Sequence, residues 1–321
     1  MIRATATTDS PWWRSPRHWP LALLLGLVVL LAQLPIGWWL AAAQPATWLL
    51  RPFTGRRRRI IRANIDLAFP ELGRRERAAL AEQNYRETVM GLFEGAVALF
   101  RWRPLGAERI RIDGLEHLDR AVSAGHGALI VGGHYTSMLL CGRMLAEAAS
   151  IPVPQLVRRH NNRCLEAFID WGRRRHCAQT VEKKDIAALL RLLRAGHPVA
   201  LAADQDFNFH CAFVPFFGQP AATLKILPRL QRLSRAPKLR VAIRRGPGLI
   251  EWTLTLAPAE PASGDDVADT ARDAAWLEAQ IRLAPAEYLW AHRRFKTRPP
   301  GMAPAYPAAL RKRRTPESVD G

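Results

Sequence analysis

The stretch GALIVGGHYTSMLLCGR, Gly127 to Arg143, delivers a histidine to the end of an apolar run. Ala128 to Val131 reads as a buried strand and Gly132–Gly133 as a turn. Met138 begins a helix that Thr136 or Ser137 can cap. His134, between strand and helix, is a candidate general base. Imidazole titrates near neutrality, and the N–H groups of a helix start favour negative charge developing beside them. Alone this is a weak signal, because histidines after strands more commonly serve structure.

Three further clusters carry reactive or ligand-binding types. LVRRHNN, Leu156 to Asn162, holds two arginines suited to phosphate or carboxylate, or to a plain basic loop. VALAADQDFNFHCAFVPFFG, Val199 to Gly218, carries Asp204 and Asp206 out of a buried strand, at the strand end where α/β proteins place ligand groups. A metal needs a third ligand, which is not evident here, so these carboxylates are expected to hydrogen-bond to backbone or arginine. APAEYLWAHRRFKTRP, Ala284 to Pro299, is amphipathic and ends in five basic residues.

The elements that must position these groups follow from periodicity. Ala128–Val131, Val199–Ala202, Leu239–Ile243 and Trp252–Leu256 have strand character. Ile186–Arg194 and Ala271–Arg282 have helical spacing, as does Glu71–Leu99 with Leu80, Val89, Leu92, Phe93 and Val97 on its apolar face. Strands alternating with helices predict an α/β domain with a mixed sheet flanked by helices. Ahead of it, Trp19 to Ala43 has no charge and one strongly polar residue, Gln33, which predicts a membrane-anchoring helix over 19–43 with tryptophans at both ends. Pro35 also allows a bent helix lying in one leaflet. The expected organisation is an N-terminal segment 1–18, the anchor, a cytoplasmic domain over 51–298 and a poorly ordered tail over 299–321.

Composition narrows the partners. The 321 residues are 49% hydrophobic, enough for a sizeable core, and 47 basic against 28 acidic residues give a formal charge of +19. Arg51 to Arg62, RPFTGRRRRIIR, is either a topology signal that keeps the domain cytoplasmic or a platform for anionic headgroups. No helix-turn-helix, zinc or RNP pattern accompanies the charge, so nucleic acid is not an expected partner. Cys141, Cys164, Cys177 and Cys211 lack metal or disulfide spacing and read as small thiols in a reducing compartment.

In order along the chain, the arginine-rich N-terminal segment, RANIDLAFPEL, GLFEG, the His134 turn, RRHNN, DQD and YLWAHRRFKTRP resemble the late acyltransferases of lipid A biosynthesis. The resemblance runs from about Pro16 to Pro300, and the last motif is particularly specific. It implies a glycerolipid acyltransferase-like fold at the inner membrane of a Gram-negative bacterium, with the domain facing the cytoplasm. It implies acyl transfer from acyl carrier protein to a hydroxyl of a phosphorylated glycolipid, without metal or organic cofactor. His134 would be the base, and Arg158, Arg159 and Asn161 would bind substrate, with Arg158 steadying the oxyanion or an acceptor phosphate. The acyl slot would lie along the GLFEG helix and the residues after His134.

One position departs from the family pattern. That pattern places an acid five residues after the histidine, where this chain has Leu139. Leucine cannot hold an imidazole tautomer or stabilise an imidazolium. Asp204, Asp206 and Glu94 are the candidate substitute acids, each lying in a family motif. A carboxylate within about 3.2 Å of the histidine's rear nitrogen is the geometry that identifies such a substitute. The alternative is a catalytically impaired member that binds lipid or carrier.

Overall fold

The computed structural model describes residues 15–149, 153–157, 162–176, 180–182, 185–206 and 210–311. Its helices are α1 Trp19–Leu31, α2 Ile36–Ala41, α3 Ala43–Leu50, α4 Gly55–Ala68, α5 Arg74–Phe100, α6 Leu115–Ser123, α7 Met138–Ala148, α8 Arg163–Arg173, α9 Ile186–Arg194, α10 Leu227–Ser234 and α11 Asp266–Leu283. The strands are β1 Ile110–Asp113, β2 Ala128–Gly132, β3 Gln155–Val157, β4 Thr180–Glu182, β5 Pro198–Ala202, β6 Cys211–Phe216, β7 Gln219–Leu224, β8 Lys238–Arg245 and β9 Trp252–Pro258.

Seven strands form one sheet in the order β1-β9-β8-β2-β5-β3-β4. All neighbours run parallel except β8 and β9, so the predicted mixed α/β sheet is present. β6 and β7 make a separate antiparallel hairpin. Side chains alternate across the central strands as a period of two requires. Leu129, Val131 and Val199 enter a core shared with Leu189, Leu193, Leu227 and Leu230 of α9 and α10. Ala128 and Ile130 join the larger core that includes Val89, Leu140, Trp252 and Trp290.

The anchor predicted over 19–43 needs correction, because no single helix covers that range. α1 stops at Leu31, and α2 and α3 follow as separate short helices. Among the described residues no helix is long and apolar enough to cross a membrane. The break has a definite chemistry. Pro35 lacks an N–H, and the Gln33 amide donates to the carbonyls of Val29 (2.7 Å) and Phe100 (2.8 Å). The Gln33 carbonyl accepts from the Trp102 N–H at 3.0 Å, and Arg101 donates to the carbonyls of Ala32 (3.1 Å) and Leu34 (2.7 Å). Mean hydropathy over the run misses this, since one half-buried glutamine scarcely changes an average.

The arginine run is largely occupied by the protein itself. Arg51 and Arg58 pair with Glu82. Arg56 and Arg57 donate to the carbonyls of Leu310 and Ala291. The chain beyond Pro299 lies against the body through Arg311: Leu310 is buried, and the Tyr306 hydroxyl accepts from the Phe295 N–H and donates to Asn64.

Candidate active site

β2 and β5 are adjacent and parallel, with Gly132 in register with Ala202. The residues two positions further on, His134 and Asp204, therefore leave the sheet side by side. The His134 N–H donates to Asp204 Oδ2 at 2.9 Å, and the ring Nδ1 lies 2.5 Å from Asp204 Oδ1. Gly133 permits this approach, because a Cβ there would meet Leu277 Cδ1 of α11 at 2.7 Å and Asp204 Oδ2 at 3.4 Å.

Asp204 is 4% exposed. Burial alone would push its carboxyl up, but the His134 charge opposes this. Hydrogen bonds from the His134 ring, the Tyr288 hydroxyl (2.6 Å) and the His134 backbone act in the same direction and hold it well below the usual carboxylate range. A carboxylate is an acceptor only, so Nδ1 is the ring nitrogen that donates in this pair, and Nε2 is the one turned away from Asp204. The ring remains partly open, at 16% side-chain exposure.

The other two candidate substitute acids make their contacts elsewhere. Asp206 accepts from the Thr297 N–H (2.7 Å) and hydroxyl (2.9 Å), fixing the loop after β5 to the C-terminal motif. Glu94 is fully buried and accepts from the Ser137 hydroxyl (2.6 Å), Arg245 (2.8 Å) and the Trp252 indole (2.8 Å). Ser137 accordingly points at α5 and makes no side-chain cap for α7. Leu139 packs on the same helix, with its Cδ1 3.0 Å from where a Cβ on Gly95 would stand.

This packing also displaces the expected acyl slot. A Cβ on Gly91 would sit 2.3 Å from the Thr136 carbonyl, so GLFEG is in close contact with the residues after His134. A small apolar pocket, with a cavity volume of about 40 Å³, adjoins β2, the loop after β5 and α11. Val131, Phe216, Leu227, Ala274 and Leu277 line it, with Asp204 also in its wall.

Sequence reasoning gave Tyr288 no role although it opens the motif YLWAHRRFKTRP, because its partner Asp204 lies 84 positions away. His292 is a second histidine near the site. Burial drives it down to about 4, with the charges of His134, Arg294 and Arg293 adding to burial and Asp204 opposing it. Its Nε2 accepts from the Asp206 N–H at 3.3 Å, a structural use of a neutral ring. Arg158, Arg159 and Asn161 lie outside the described residues. Among the described cysteines, Cys141, Cys164 and Cys211 are free thiols.

The family model for bacterial lipid A biosynthesis acyltransferases matches residues 7–297. The chain is 33% identical over 298 residues to the lipid A biosynthesis palmitoleoyltransferase of Escherichia coli K12, covering 91% of this chain and 95% of that one. It is 31% identical over 297 residues to the lauroyltransferase of the same organism, covering 91% and 96%. A Haemophilus influenzae lipid A biosynthesis acyltransferase is 27% identical over 259 residues, covering 78% and 81%. With a match over nearly its whole length, the chain belongs to the bacterial lipid A biosynthesis acyltransferase family.

Proposed function

We propose that this protein transfers a fatty acyl chain from acyl carrier protein to a hydroxyl of a phosphorylated lipid A precursor, with His134 as base and Asp204 in place of the family acid. The observation that carries the reading is the 2.5 Å contact between Asp204 and the His134 Nδ1, which leaves Nε2 free. It favours catalysis over the lipid- or carrier-binding alternative, because a binder has no need of an oriented imidazole.

The acceptor oxygen attacks the thioester carbonyl while His134 Nε2 takes its proton. The tetrahedral intermediate collapses, the C–S bond breaks, and the proton passes from Nε2 to the departing thiolate. An ester and a free thiol result. The thioester is already activated, so no metal or organic cofactor enters the balance. We assign the small apolar pocket between β2 and α11, which Asp204 also walls, to the start of the acyl path. Arg158, Arg159 and Asn161 are assigned to the oxyanion and the acceptor phosphate. They follow β3, whose parallel pairing with β5 makes it end at the sheet edge that presents His134 and Asp204. An in vitro assay with acyl carrier donors of graded chain length and an acylated, phosphorylated glucosamine disaccharide is expected to yield ester. Carrier binding with no ester from any donor would favour the binding alternative.

The membrane contact we assign to α1–α3, lying in one leaflet of the inner membrane with the sheet domain on its cytoplasmic side. Leu23 (76% exposed), Leu27, Leu30, Trp38, Trp48 (78%) and Phe53 present apolar surface to the outside. Exposed apolar side chains in this number suit an interaction surface, and basic residues suit anionic lipid. Replacing Leu23, Leu27 and Trp48 together by glutamate is expected to weaken co-sedimentation with phosphatidylglycerol vesicles by at least about tenfold. Unchanged sedimentation would remove these helices from the contact.

A further inference from the structure

The motif YLWAHRRFKTRP was legible as a motif but not as a function, and its packing against the site gives it one. Glu287 accepts from the Thr136 N–H, and Leu289 donates its N–H to the His134 carbonyl, each at 2.8 Å. The motif thereby brackets the catalytic turn by its backbone. Asn84 of α5 secures it from behind, donating to the carbonyls of Ala286 (2.7 Å) and Tyr288 (2.6 Å). Asn64 of α4 does the same for Trp290 and His292, at 2.6 Å each. From this clamped segment the Tyr288 hydroxyl reaches Asp204 Oδ2 at 2.6 Å, the same oxygen that the His134 N–H contacts.

We infer that Tyr288 is a positioning residue for the acyl transfer, acting through Asp204 to set how strongly the carboxylate holds the His134 imidazole. The inference rests on the reading of His134 as base. Two donors on Oδ2 leave Oδ1 to the imidazole and fix the plane of the carboxylate. The Tyr288 hydroxyl also draws off part of the carboxylate's charge. The ring is 3% exposed and packs on Trp290 (4.7 Å between centroids) and Phe216 (6.2 Å), so the hydroxyl has little freedom to turn away. Without it, more of the Asp204 charge falls on the bond to His134. The imidazolium then keeps its proton to higher pH, and the carboxylate is freer to rotate.

The test is Tyr288→Phe, which removes one oxygen and keeps the ring. Two measurements are made on the full chain in detergent: the pH dependence of kcat/KM, and the His134 titration followed by NMR with labelled histidine. The expected result is a loss of about tenfold in kcat/KM on the plateau. The acid limb and the His134 titration should both move up by about half a pH unit or more. A rate loss with limb and titration unmoved would overturn the inference, leaving Tyr288 a merely structural residue. So would an unchanged rate. The NMR titration needs no turnover, so a shift there in a chain that transfers no acyl group would sink the proposed reaction and keep the positioning role. If the phenylalanine variant melts early, incorporation of 3-fluorotyrosine supplies a stronger donor in an intact fold. The titration should then move down, and no movement would overturn the inference.

Discussion

Asp204→Asn is expected to fold and to lose up to about 10⁴ in kcat, by analogy with the serine protease triad, where the same change gives a loss of that size. The geometry specifies why. Asp204 Oδ2 accepts from two donors, the His134 N–H and the Tyr288 hydroxyl. In the asparagine variant the amide oxygen must occupy that position, which turns the NH₂ toward the His134 Nδ1. An NH₂ cannot accept, so Nδ1 is forced to be the unprotonated nitrogen and the proton moves to Nε2. The imidazole then presents an N–H to the acceptor hydroxyl and cannot take its proton. Raising the pH does not restore the tautomer, so the loss should persist across the profile. A rate within tenfold of the wild type in the transfer assay would remove Asp204 from the role and return attention to the missing acid at Leu139.

The sequence reading reached the residue types at this site but not their arrangement. His134 and Asp204 both stood out because each follows a buried apolar run, and strand ends are where open α/β sheets place chemistry. Which of three carboxylates would face the histidine depended on β2 and β5 being neighbours in register. That pairing spans 70 positions and is encoded by the packing of the whole sheet. β1, β3 and β4 were missed for a related reason. They have only three or four residues each, too few for a periodic signal, and they form by pairing at the sheet's edges. The N-terminal run failed in the opposite direction. Its composition suits a bilayer, but Gln33 and Pro35 stop the helix, and their partners Phe100, Arg101 and Trp102 lie nearly 70 residues away.

The same comparison explains how the chain accommodates leucine at position 139. The N-terminal turn of α7 is tied to α5 through Ser137 and Glu94, and Gly95 leaves the space that Leu139 fills. Glu94 is in turn neutralised by Arg245 and satisfied by Trp252, so it has no free oxygen to offer the histidine. A buried carboxylate with these partners is an element of structure. The acid that contacts the imidazole is Asp204, from beyond the neighbouring strand β5, and in the proposed reaction it takes the role that the family pattern gives to one helix.

His134→Ala is expected to abolish measurable transfer, since general base catalysis contributes about 10²–10⁴ and the second histidine described near this site is already engaged. His292 is held neutral by its burial, but its Nε2 is occupied by the Asp206 N–H. The more telling result comes from combining the two changes. In His134→Ala the backbone N–H and Tyr288 still reach Asp204, but the buried carboxylate loses the imidazole on Oδ1, a defect that costs roughly 1–3 kcal/mol. Adding Asp204→Asn removes that orphaned charge. The double variant should therefore be at least as stable as His134→Ala in urea unfolding, and no less active than either single variant, because the two side chains act as one unit. Losses that multiply in rate and add in stability would mean that the two residues work independently, and the 2.5 Å contact would then have no catalytic meaning.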